Sequence, residues 1–113
     1  MATPQPFAQT GSPAITVPAG SRLLAETLSL QVNVSPSGSK LEAFVKYTCE
    51  GKSVTLFVPV TYAYTEPGTG FDFYVALQDV RFFADAGTSI GVSVHAPNAS
   101  GGTLFITVSG RLV

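Results

Sequence analysis

Charge is scarce in this sequence, and the scarcity excludes more functions than any motif suggests. Only 12% of the 113 residues are charged, and the formal net charge is −1. The six basic residues, Arg22, Lys40, Lys46, Lys52, Arg81 and Arg111, stand singly. No cationic stripe exists to neutralise successive phosphates, so nucleic acid is not an expected partner. The one cysteine, Cys49, cannot form an intrachain disulfide. One histidine, His95, and no Cys-rich or His-rich cluster leave no metal-ligand spacing, and no cofactor is expected. No apolar run reaches the roughly 18 residues of a membrane span. The first twenty residues lack the basic and apolar segments of a signal peptide, which predicts synthesis in a cytoplasm.

What the chain has in quantity is apolar residues, 45% of the total, set in alternation. In "LLAETLSLQVNV" Leu24, Leu28, Leu30, Val32 and Val34 share one phase of a period of two, and Thr27, Ser29, Gln31 and Asn33 fall opposite. The same pattern aligns Leu41, Ala43, Val45, Tyr47 and Cys49. It also aligns Val54, Leu56, Val58, Val60, Tyr62 and Tyr64, with Pro59 opposite at an edge or bulge. Phe71, Phe73, Val75 and Leu77 alternate against Asp72, Tyr74, Ala76 and Gln78, and later runs align Ile90, Val92 and Val94, then Leu104, Ile106, Val108 and Leu112. No segment holds a 3.6-residue repeat. Turn-forming clusters at "SPSGS", "EGK", "TEPGTG", "ADAGT" and "PNASGG" punctuate these runs. Counting short pieces at "AITV" and "VRFF", the pattern predicts about eight strands in an all-β antiparallel sandwich or jelly roll spanning residues 21–113. A domain of this length buries roughly 65% of its unfolded surface. Residues 1–20, with Pro4, Pro6, Pro13 and Pro18, read as an extended Pro-rich arm that gains its contacts from a neighbour.

The C-terminal third, with Ala86-Gly87-Thr88 opening one strand and Ser109-Gly110-Arg111-Leu112-Val113 closing the last, resembles tumour-necrosis-factor/C1q-like jelly rolls. The family's usual Asp after the Gly is Thr88 here. The resemblance implies a homo-oligomer, in the form of a trimer, of the kind found in phage capsid cement and decoration proteins, viral fibres and bacterial lectins.

The stretch "HAPNASGGT" from His95 to Thr103 reads as a connection between the last two strands, with His95 pointing outward. The sequons at Asn33 and Asn98 read as chance matches, and Cys49 as a small buried hydrophobe. Asp72, Asp79 and Asp85, with Glu50 and Glu66, read as turn-capping carboxylates rather than as a catalytic pair or a Ca²⁺ site. No nucleophile or acid–base constellation predicts an enzyme. Four large aromatics, Phe44, Phe57, Tyr74 and Phe105, fall on the outer phase, flanked by Pro59 and Val113. If contiguous they expose several hundred Å² of apolar surface, on the order of what marks an interface. Together with Pro4, Pro6 and Phe7 of the arm they are the expected contact residues. The expected function is that of a structural virion protein, a capsid decoration subunit bound to the major capsid protein or another virion protein. The alternative is a small lectin-like module in which Tyr62, Tyr64, Tyr74, Asp72 and Arg81 hold a saccharide.

Overall fold

A computed structural model describes residues 5–34, 41–95 and 102–113. The described residues form nine strands and no helix: β1 (Gln5–Gly11), β2 (Ala14–Thr16), β3 (Leu23–Val34), β4 (Glu42–Cys49), β5 (Lys52–Val58), β6 (Thr61–Thr65), β7 (Asp72–Ala84), β8 (Ser89–His95) and β9 (Gly102–Leu112). They make two antiparallel sheets, one of five strands in the order β1-β9-β3-β7-β6 and one of four in the order β2-β8-β4-β5.

The pairing is nested. Strand β4 pairs with β5, β3 with β7, β2 with β8 and β1 with β9. The chain is therefore one long antiparallel hairpin, closed at Glu50-Gly51 and rolled so that successive pairs fall in alternate sheets, which is the jelly-roll plan. Strand β6 is an addition at the edge. At the hairpin tip Glu50 (φ 52°) and Gly51 (φ 77°) both take positive φ, as a two-residue turn between antiparallel strands requires.

Between the sheets lie Leu28, Leu30, Ile106 and Val108 from the five-stranded layer and Ile15, Val45, Ile90 and Val92 from the four-stranded layer. Tyr47 stacks on Phe82 across the gap, with centroids 4.0 Å apart. Removal of that ring from water pushes the Tyr47 phenol above its ordinary pKa, and the nearby Cys49 adds to the rise.

Four expectations change. Residues 5–17 do not stand away as an arm. Strand β1 pairs with β9 over seven residues, β2 pairs with β8, and Ile15 and Val17 are buried. Pro6 is tolerated because β1 lies at a sheet edge, and Pro13 and Pro18 fall outside β2. The run from Val54 to Tyr64 is broken at Pro59-Val60, where the chain leaves one sheet for the other. The "VRFF" piece is the end of β7, and β7 buries the opposite phase from the one expected. Ala76 and Val80 pack on the core and Phe82 and Ala84 are buried, while Val75 and Leu77 face solvent. Finally, the phase of β3 shifts between Ala25 and Thr27, so Leu23 and Ala25 are buried in place of Leu24. At this bulge Gly110 passes so close to Leu24 that any Cβ would collide with the Leu24 carbonyl oxygen.

Candidate interaction surfaces

The aromatics expected to share one face are divided among three places. On the outer face of the four-stranded sheet Phe44 and Phe57 are direct cross-strand partners, with ring centroids 6.1 Å apart. Phe57 is 67% exposed, and the Lys46 ammonium lies 5.6 Å from the Phe44 ring. A shallow groove of about 360 Å³ runs beside Phe57, along Pro59 and Val60. Phe105 lies on the outer face of the other sheet, on the opposite side of the molecule. Tyr74 was expected to point outward and instead faces inward, because β7 is in the opposite phase. It is level with Val32 and meets the edge of the Tyr62 ring.

The arm residues also separate. Phe7, expected at an interface, packs against the protein's own core. Pro6 is exposed opposite Arg111 in β9, and Arg111 Nε donates to Glu26 Oε1 at 3.3 Å in an exposed ion pair. Pro4 lies outside the described residues.

An apolar group that the sequence reading missed accompanies Phe105. Register sets Phe105 and Val75 on either side of Gln31, and Thr107 and Leu77 on either side of Ser29, all outward. Leu77 is 75% exposed. The alternation through β7 held the signal. The phase that buries Phe73, Val75 and Leu77 would also bury Asp79 and Arg81, whereas the other phase, from Tyr74 to Ala84, carries no charge.

A third feature is the aromatic end of the β6–β7 pair. Tyr64 stacks on Phe73 at 4.7 Å between centroids, because an irregularity between Tyr62 and Tyr64 turns Tyr64 to the outer face. Tyr62 and Tyr64 are about half exposed. The Tyr62 hydroxyl and Thr65 Oγ1 share a hydrogen bond, and Thr65 Oγ1 donates to Asp72 Oδ1 at 2.7 Å. Arg81 lies farther along β7, outside this cluster.

The carboxylates do not converge. Asp72 belongs to the threonine network and Asp79 is exposed in mid-strand. Asp85 accepts hydrogen bonds from the N–H groups of Glu50 and Gly51 at 2.9 and 2.8 Å. The Gly51 and Glu50 amides, with Arg22 as a smaller influence, hold the Asp85 carboxyl below its ordinary pKa. Among the described residues no three His, Cys, Asp or Glu side chains are grouped as metal ligands. His95 is exposed at the end of β8 opposite Glu42. Cys49 is half-buried rather than buried, because it ends β4 at the hairpin tip. Asn33 is buried, and its Oδ1 accepts the Thr103 N–H at 2.9 Å, which gives that asparagine a structural task. Asn98 and the rest of its sequon lie outside the described residues.

No family model and no characterised protein matches this chain.

Proposed function

We propose that the protein is a structural subunit of a virion, a capsid cement or decoration protein that covers the particle as a homo-oligomer and binds the major capsid protein. The observation that carries this reading is the presence of exposed apolar side chains on both outer faces of the sandwich, Phe57 beside the half-buried Phe44 on one and Leu77 with Val75 and Phe105 on the other. A sandwich buries its inner faces against each other and ordinarily turns polar residues to water on the outer ones. Large side chains on both outer faces suit a subunit placed between two neighbours. The net charge of −1 supports the same reading, since a surface with so little charge gains from being covered. Binding strength would come from many copies acting together.

The test is to add purified protein to undecorated particles of the virus that encodes it. Saturable binding that Phe57→Arg abolishes, with the melting temperature unchanged, is the expected result. Absence of wild-type binding at tens of micromolar, a range on the order of ten-thousandfold weaker than tight nanomolar assembly, overturns the proposal.

The aromatic end of β6–β7 favours a second reading, a saccharide-binding module. Tyr64 offers a ring face backed by Phe73, and the Tyr62–Thr65–Asp72 network offers acceptors for sugar hydroxyls. Retention on immobilised glycans that Tyr64→Ala removes would favour this reading over decoration.

A further inference from the structure

The outer edge of the five-stranded sheet is only partly covered. Strand β6 pairs with β7 as far as Thr61 opposite Val75, where Pro59 and Val60 carry the chain away to the other sheet. From residue 76 to residue 84 the outer edge of β7 has no bonded partner among the described residues. Nine residues of free edge are a template for another strand. The edge is not flat hydrophobic, and exposure alternates along it, although Val80 and Arg81 together oppose the single Glu26 of β3 at a bulge. Leu77, Asp79, Arg81 and Phe83 are exposed, while Ala76, Gln78, Val80, Phe82 and Ala84 are turned inward.

We infer that this edge pairs with the same edge of a second copy about a two-fold axis at Val80, joining two five-stranded sheets into one continuous sheet. Charge complementarity commits the edge to a second copy. Val80 is the midpoint of the free stretch. An antiparallel register centred there sets Asp79 opposite Arg81 of the second copy, and Arg81 opposite its Asp79. It also sets Leu77 opposite Phe83 in both directions, with Val80 facing its own counterpart at the axis. Opposite charges and apolar pairs directly across a ladder stabilise it. All four exposed side chains of the edge are thus matched, and each is used twice, as an isologous contact demands.

The alternative two-fold registers fail on the same residues. Outward side chains stay on one face of the joined sheet only if the axis passes through a residue position. An axis at residue 79 sets Asp79 against itself, and one at residue 81 sets Arg81 against itself. Only the register centred on Val80 opposes the unlike charges. Two local features fit it. The Arg22 guanidinium lies over the Phe83 ring at 4.6 Å from its centroid, holding the outer apolar pair beneath a cation. An open groove of about 600 Å³, lined by Pro59, Thr61, Val75 and Leu77 among others, lies where β6 leaves the edge. That is where Ala84 of the second copy arrives and its chain turns away.

This inference rests on the self-association part of the proposed function and not on the virion role. Sedimentation at low ionic strength on the full chain tests it, with charge reversals at two exposed positions. Asp79→Arg alone, or Arg81→Asp alone, sets two like-charged pairs across the axis and weakens dimerisation by about tenfold or more. The double variant Asp79→Arg/Arg81→Asp restores the two unlike pairs and the dimer. An equimolar mixture of the two single variants forms a heterodimer, although each alone is weakened. Melting temperatures of all variants stay near that of the wild type, which separates lost pairing from lost folding. A wild-type dimer indifferent to both single reversals overturns this contact and leaves self-association standing, whereas a wild-type monomer overturns both. A wild-type trimer, or a double variant and mixture that stay dissociated, overturns the two-fold register.

Discussion

Asp85 shows how one side chain can hold the closed end of the long hairpin. Its two carboxylate oxygens take the N–H groups of Gly51 and Glu50, which the tight turn leaves without ladder partners. Because these bonds favour the ionised form, the folded-state pKa of Asp85 lies below the unfolded value. The stability it contributes is therefore complete above the unfolded value and is lost as pH falls through the folded one. Asn in its place offers one acceptor oxygen and turns an NH₂ toward the other N–H. Asp85→Asn should therefore lower the urea midpoint at neutral pH, and the gap from wild type should narrow at pH values below the carboxylate range. An equal gap at both ends of that pH range would deny the carboxylate this role. The turn itself was legible, since "EGK" between two alternating runs is a hairpin signal. The Asp85 contact was not, because it joins residues 34 and 35 positions apart and depends on how the roll closes.

At the scale of elements, alternation revealed most strands, and two of the features it misread, β7 and β1, failed for different reasons. Strand β7 was read in the wrong phase because its aromatics draw attention to Phe71 and Phe73, whereas the charges at Asp79 and Arg81 set the phase that must face water. Strand β1 was read as an arm because prolines and polar residues resemble a linker, and an edge strand tolerates that composition. Its ties are specific: Thr10 and Thr107 share a hydrogen bond of 2.8 Å, Ser12 Oγ donates to the Leu104 carbonyl at 2.7 Å, and Phe7 packs on the core. Deleting residues 1–12 should therefore destabilise the domain. The partial burial of Phe7 alone is worth about 1–2 kcal/mol, and each kcal/mol lowers the melting temperature of a domain this size by about 4–8 °C. A melting temperature unchanged by the deletion would mean that β1 contributes nothing to the fold.

For the whole molecule, the sandwich was legible from the period of two, while the arrangement of its surfaces was not. Phe44, Phe57, Tyr74 and Phe105 were counted as one outer set. Sheet assignment then sends Phe105 to the opposite side from Phe44 and Phe57, and the phase of β7 turns Tyr74 inward. Which side chains share a face depends on register between strands distant in sequence, and no local pattern encodes it. The molecule exposes Phe57 on one outer face and Leu77, Val75 and Phe105 on the other, and the proposed association would take these side chains and the free β7 edge out of water. The most direct measurement is the mass of the wild-type chain at sedimentation equilibrium at tens of micromolar and low ionic strength. A dominant species of twice the 11.8 kDa chain mass is the predicted result. A single species of 11.8 kDa across that range, with Leu77 and Phe57 left in water, would contradict the account.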